Sequence, residues 1–417
     1  MNRSIATLSI VSIGILAQTL GANAAAPEAQ PDYVYVETNI KTANGNSIAA
    51  FTRAANGQLQ QIPGSPFLTG GAGTQYAGVD VGPQDSDQDI ITNSDHSLLF
   101  AVNSGSDSIA VFHIQRNGSL TPVSGSPFPS GGNDPVSLGL RGNTLFVVNK
   151  SGDFGRPSTT LPNYTTLHVN DDGTLSPEEG TTNDTAHAFP TTVSVAVGSS
   201  PSQAFVLPDT NLLFGTDFLG GLIQRFQFDW NGGLHQLSPL ALPQSEFNDI
   251  TTPRLPLGLW SHPNLPLLYV GYVTNSELAV YEYDLEGRLK FLRTVPNTGK
   301  AICWIRINRA GTRLYTTDTV SNSVSVYDLK DPEKPQQIQE FNLSGLGNVL
   351  QFSLSTDDRT LFALSSRGTA TIPEGQGNVL HTLSIGDDGT VSEAVPPVVF
   401  QLPNDTRPQG VAVVPAN

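Results

Sequence analysis

IAVFHIQRNGSL, residues Ile109–Leu120, is the stretch from which the fold can be read. An alternating apolar run passes through a short polar step to Asn117-Gly118, and Leu120 opens a return strand. Asn and Gly accept the positive φ of a two-residue hairpin turn, so the turn chemistry agrees with the alternation. The same phrase recurs as IAAFTRAANGQL (Ile48–Leu59), YTTLHVNDDGTL (Tyr164–Leu175), IQRFQFDWNGGL (Ile223–Leu234), LAVYEYDLEGRL (Leu278–Leu289) and VLHTLSIGDDGTV (Val379–Val391). VSVYDLKDPEKPQQI (Val324–Ile338) is a looser copy that fills the widest gap. The turn glycines then return about every 55 residues, a period that calls for a solenoid or a propeller before any other architecture.

Around each hairpin lies the rest of a blade. Second strands with aromatic or leucine starts are YVYVET (Tyr33), LLFAVN (Leu98), LFVVN (Leu145), LLFGTD (Leu212), LLYVGY (Leu267), LYTTD (Leu314) and LFALS (Leu361). Inner strands precede six of them, at Asp89, Pro135, Gln203, Leu257, Cys303 and Leu350. The first blade has no inner strand ahead of Tyr33, and Gln409–Val414 at the other end of the chain supplies one. Strands from both ends in one blade would close the ring and leave no free sheet edge. The expectation is an all-β, seven-bladed propeller of four-stranded antiparallel blades over residues 33–417.

Insertions break the repeat at Gly70–Gln88, Gly152–Asn163, Thr181–Ser202, Pro243–Pro256 and Arg367–Gly377. Three of the five lead into inner strands, which places them on one mouth of the ring, where loops carry function.

The first two dozen residues differ from the rest. Arg3, the apolar run Ile5–Leu20 and Ala22-Asn23-Ala24 read as a secretory signal peptide over residues 1–24, followed by a flexible leader over residues 25–32. The protein is therefore expected to be secreted or periplasmic. No later stretch is apolar enough to cross a bilayer as a helix. A net charge of −16 without a Lys/Arg cluster argues against nucleic acid, because affinity there comes from neutralising phosphates. The lone Cys303 reads as a small buried hydrophobe beside Trp304.

The hairpin phrases, with GSPFLTGG (Gly64–Gly71) and GSPFPSGG (Gly125–Gly132), resemble the lactonase-type seven-bladed propellers, which include 6-phosphogluconolactonases and carboxymuconate-cyclising enzymes. Tyr272-Val273-Thr274-Asn275 also spells the repeat that names the YVTN propellers of secreted and surface-layer proteins. The resemblance spans the mature chain. It implies a Pro-Arg-His run on an inner strand and an Asn-Glu pair at the end of the next strand. Here Pro253-Arg254-Leu255 keeps the arginine and replaces the histidine, and Glu277 falls late, after Thr274-Asn275-Ser276. Only Arg254 carries over.

Lactone opening or closing needs a proton-transfer group and a cation for the substrate's carboxylate or phosphate, and a guanidinium meets such anions with two parallel bonds. Arg254, Arg306 and Arg407 stand at or beside inner-strand starts. Converging on one mouth they would form an anion site; paired with acids such as Asp249 or Asp405 they would only tie loops together. His187, Glu246 and Arg254 are the catalytic candidates, with Asp249 as a further carboxylate. Arg306, Arg407 and Trp304 are the substrate-binding candidates. His262 reads as part of a turn. Asp85-Ser86-Asp87-Gln88-Asp89 resembles a calcium loop but has Ile90 where the loop needs glycine and His96 where it needs glutamate, so it reads as a solvated acidic rim. No zinc, serine-hydrolase or nucleotide-binding spacing occurs.

Two functions are open at this point. One is an exported, monomeric lactonase-like enzyme that hydrolyses or forms an acidic sugar or aromatic-acid lactone without metal or organic cofactor. The other is a non-catalytic secreted or cell-envelope propeller presenting one face to a glycan, peptide or protein.

Overall fold

The two ends of the chain meet in one sheet. Strand Gln409–Pro415 pairs antiparallel with Asp32–Glu37, with Tyr33 opposite Val414 and Val36 opposite Val411. Asp32, where the expected leader ends, is the first residue of its strand, and its buried carboxylate accepts from Arg53 Nε at 2.9 Å and Nη2 at 2.6 Å. The protein is described here by a computed structural model covering residues 31–74, 85–153, 156, 158, 160–178, 189–246, 253–367, 371–373, 375–403 and 405–416. The proposed signal peptide lies outside the described residues.

Seven antiparallel sheets follow one another, each with an inner, second, third and outer strand in chain order apart from the closing blade. We number the blades from the one that holds both ends of the chain. Blade 2 begins on Ile90–Thr92, blade 3 on Pro135–Arg141, blade 4 on Phe205–Val206, blade 5 on Pro256–Ser261, blade 6 on Ile302–Ile307 and blade 7 on Asn348–Leu354. In blades 1, 2, 3 and 7 a further short strand returns to the third strand. In blades 1 and 2 this is the work of the GSPF motifs. Ser65 Oγ accepts from Ala50 N at 2.8 Å and Ser126 Oγ from Val111 N at 2.9 Å, which satisfies the ladder where the outer strand is interrupted.

The hairpin turns differ from the expected two-residue form. Gly118 N donates to Gln115 O and Gln115 N to Ser119 O, and within the turn only Gly118 has a positive φ, of 77°. This is a three-residue loop, a type I turn closed by a left-handed glycine. The Asn or Asp before the glycine is therefore selected as an acceptor: Asn117 Oδ1 takes Ser119 N at 3.1 Å, and Asp172 and Asp388 take Thr174 N and Thr390 N in the same way.

Those turns also join the blades. Tyr35 Oη donates to Gly118 O, Thr166 Oγ1 to Gly232 O, Arg225 Nη1 to Gly287 O and Tyr315 Oη to Gly389 O. In each case a side chain of one blade satisfies the turn carbonyl of the next. Between these ties the inward faces pack into apolar clusters, one at each blade interface. Each blade thus buries its faces against two neighbours, and burial at about 25 cal/mol per Å² is the main force holding the ring.

Strand direction alternates, so inner-strand starts, second-strand ends and third-strand starts share one rim. Pro135 is opposite Asn149 and Asn149 opposite Asn163, and in blade 5 Pro256, Tyr272 and Glu277 align in the same way. The insertions between second and third strands are therefore anchored on the same face as those leading into inner strands. Four of the five belong to this mouth; Thr181–Ser202 ends there but passes the opposite rim, where Pro190 O accepts from Leu234 N at 2.8 Å and the Phe189 ring lies 4.8 Å from that of His235.

Several acids are sealed inside. Asp318 accepts from Ser325 Oγ at 2.6 Å and from Asn297, yet burial pushes its carboxyl up to about 7. Burial raises Asp89 to about 7 as well. Both folded-state values exceed the ordinary aspartate value, so this contribution to stability is full below about pH 4 and is lost as pH rises through about 7. The melting temperature is expected to be higher at pH 5 than at pH 8, with Asp318→Asn narrowing the difference. Equal melting temperatures at the two pH values would contradict it.

Candidate active site at the loop-rich mouth

Residues Asp85–Asp89, read from sequence as a solvated rim, instead run into the bore of the ring. Asp87 is 1% exposed. Arg306 Nη1 and Nη2 donate to its two oxygens at 2.6 and 2.9 Å, and Asp87 N donates to Ser202 O at 3.2 Å. Leu138 N donates to Gln88 O, and Gln351 Nε2 to Ser86 O at 2.7 Å and Asp89 Oδ2 at 3.0 Å. Blades 3, 4, 6 and 7 each hold the segment, which therefore plugs the channel. The correction has a simple cause. Four blades present hydrogen-bonding groups to this run, and none of those groups is near it in sequence. Asp85 and Gln88 adopt left-handed φ values of 47° and 63°, a conformation kept only where the surroundings impose it.

Above the plug, on the loop-rich face, opens a cleft of about 500 Å³. Asp85 and Lys150 lie among its lining residues, together with Leu161, Val197, Phe218 and Leu219. Lys150 follows the second strand of blade 3 and is buried. Burial lowers its pKa against the opposing pull of Asp85, Asp134, Asp89 and Asp217. Burial raises Asp85, opposed by Lys150 and Arg407. A carboxyl pushed up and an amine pushed down at one cleft make these two residues candidates for proton transfer. The rim is apolar, and Val197 is 84% exposed.

Of the residues singled out from sequence, Arg407 is buried and its charge reaches Asp85. Arg254 is also buried; its Nη1 pairs with Glu277 Oε2 at 3.0 Å and its Nη2 donates to Glu246 O at 3.1 Å. Arg254, Glu246 and Glu277 thus come together on blade 5. Arg306 sits near the end of its strand, in the bore, so the three arginines do not converge. Trp304 is buried with Cys303 in the cluster between blades 6 and 7, and burial pushes the Cys303 thiol up to about 12. His262 is buried against Gly311 O at 3.0 Å, as a turn residue. His187 and Asp249 lie outside the described residues.

From sequence Lys150 was not singled out, and Asp85 was read only as part of the acidic run. The available signal was a lysine directly after a second strand, immediately ahead of an insertion. Ser365, His381 and Glu393 form a hydrogen-bonded chain, with Ser365 Oγ and His381 Nε2 3.1 Å apart and His381 Nδ1 2.7 Å from Glu393 Oε1. Ser365 and His381 are fully enclosed in blade 7, so the chain ties the sheet together. Among the described residues no group of three His, Cys, Asp or Glu side chains is arranged to hold a metal ion.

The architecture is a closed seven-bladed β-propeller. Among solved structures, this chain is similar to a candidate 6-phosphogluconolactonase from Bacteroides uniformis, at 15% identity over 92% of this chain and 99% of that one, with a TM-score of 0.68. It is also similar to the periplasmic gluconolactonase PpgL of Pseudomonas aeruginosa, at 15% identity over 90% and 99% of the two chains, with a TM-score of 0.63. A candidate 6-phosphogluconolactonase from Bacteroides fragilis gives 14% identity over 94% and 99%, with a TM-score of 0.65. No family model and no curated protein matches the chain. At such identities the likeness establishes the fold, and activity has to be argued from the site.

Proposed function

We propose that this protein is an exported, monomeric lactonase-like propeller that opens or forms an acidic sugar or aromatic-acid lactone at its loop-rich mouth. The observation that carries the reading is the Asp85–Lys150 pair at the cleft, with the charge of Arg407 reaching it. In this reading Asp85, its pKa raised by burial, takes a proton from the attacking water and returns it to the leaving ring oxygen. Lys150 in its ammonium form faces the carbonyl oxygen as negative charge develops there, and the cations on this side favour a substrate bearing a carboxylate or phosphate. Arg254 and Glu246, held together on blade 5, are proposed to extend the mouth toward the distal end of the substrate.

Export is supported by the N-terminal sequence pattern and by the likeness to a periplasmic protein. Among the described residues no helix is long and apolar enough to cross a membrane. The assay is proton release from aldonolactones, their phosphorylated forms and aromatic-acid lactones. Turnover of at least one is expected, with kcat reduced by about 10²–10⁴ in Asp85→Asn. The exposed apolar rim favours a second reading, a non-catalytic binding mouth. Binding of an acidic ligand with no turnover of any lactone would establish that reading and end the first.

A further inference from the structure

On the rim opposite the inner-strand starts, between the outer hairpins of blades 3 and 4, lies a second cleft of about 390 Å³. Its most unusual feature is Trp230, 87% exposed at the tip of the blade 4 hairpin. Exposed tryptophan is uncommon because its large apolar face gains so much from burial. The turn that carries it is firmly set. Asp229 Oδ1 accepts from Asn231 N at 2.9 Å and Gly233 N at 2.8 Å, and Gly232 O accepts from Thr166 Oγ1 at 2.6 Å. Gly232 must lack a side chain there, since a Cβ would lie 2.5 Å from Glu178 Cγ. Little conformational freedom therefore remains to be lost when a ligand meets the indole.

Besides Trp230 and Pro177 the described lining is polar: His168, Asn170, Ser176, Asn231 and one acid, Glu178. Glu178 accepts from Thr144 Oγ1 at 2.8 Å, with His168 Nδ1 at 3.7 Å. Asn170 directs its amide N–H groups to Thr174 and Ser176, which turns its carbonyl oxygen to other use. Among the described residues the side-chain amide of Asn231 has no protein partner, so it offers both donors and an acceptor.

We infer that this cleft is a binding site for a neutral sugar unit of a polysaccharide. The C–H face of a pyranose ring covers the indole, and its hydroxyls exchange hydrogen bonds with the amides, the imidazole and the carboxylate. Among the described residues an anionic ligand finds no lysine or arginine lining this cleft, which sets it apart from the loop-rich mouth. A nucleic acid is excluded on the same ground. A protein partner would need a wider apolar patch than one indole in a polar surround. The site does not depend on the lactonase reading.

The test is native gel electrophoresis through gels containing one soluble polysaccharide each: glucomannan, arabinoxylan, hydroxyethylcellulose, soluble starch, laminarin or the acidic alginate. Retardation in at least one neutral gel is expected, with Trp230→Ala and Asn231→Ala each raising the apparent Kd at least tenfold and leaving the melting temperature unchanged. Trp230→Phe is expected to retain part of the binding, and Lys150→Met all of it. The inference is overturned by no retardation in any neutral gel, by retardation in alginate alone, or by binding that Lys150→Met removes. Retardation unchanged in Asn231→Ala and in whichever Trp230 variant folds also overturns it.

Discussion

Arg306→Ala is expected to destabilise the protein by about 3–5 kcal/mol, the cost of leaving a buried carboxylate without its ion partner. Asp87 is 1% exposed and Arg306 11%, so solvent can do little to replace the guanidinium. What remains for the carboxylate is the amide of Gln203 at 3.5 Å. The substitution also removes the cation stacked 4.3 Å from the Trp260 ring centroid. The measurement is the denaturation midpoint at constant slope. Asp87→Asn combined with Arg306→Met is expected to recover much of the loss, because no charge is then stranded. A single variant within about 0.5 kcal/mol of the parent would show that the plug does not depend on this pair. Asp85 lies two residues from Asp87, so Arg306→Ala is also expected to lower activity well below the denaturation midpoint. That would be a positioning effect, since Arg306 touches no reacting atom in this reading.

The second large effect belongs to Lys150. Lys150→Met keeps the length of the side chain and removes its charge, and kcat/KM is expected to fall about 10²–10³-fold, as when an oxyanion donor is lost. The pH profile separates this role from a structural one. Burial holds the Lys150 pKa below the ordinary lysine value and the Asp85 pKa above the ordinary aspartate value. If Asp85 works deprotonated and Lys150 protonated, activity rises through the raised Asp85 value and falls through the lowered Lys150 value. The result is a bell narrower than free side chains would give. Lys150→Arg is expected to keep a cation and lose the alkaline limb. An unchanged alkaline limb in Lys150→Arg would remove Lys150 from the chemistry.

The ring was legible because its information is local. Alternation, turn residues and their spacing lie within each stretch of about 55 residues, and the missing inner strand of the first blade pointed to the far end of the chain. The hairpin detail was less accessible. An Asn-Gly pair suits both a two-residue turn and a type I turn closed by glycine, and the choice shows only in which residue takes the positive φ.

The candidate site was legible only in part. Arg407, whose charge reaches Asp85, was singled out because it stands just ahead of an inner strand. Lys150 and Asp85 were passed over because an isolated lysine and a run of alternating aspartates look like surface polarity when their surroundings are unknown. Arg306 and Trp304 were assigned to a ligand because charge and aromaticity are visible in a sequence and burial is not.

By itself, then, the amino-acid order determined the number of blades and the closure of the ring, since both follow from short-range periodicity. Only the assembled ring decided which acids are sealed, which cations they meet, and that Asp85–Asp89 stops the bore. The physical reason is that desolvation and charge pairing depend on neighbours drawn from four different blades. No spacing along the chain records how far apart those neighbours are in space.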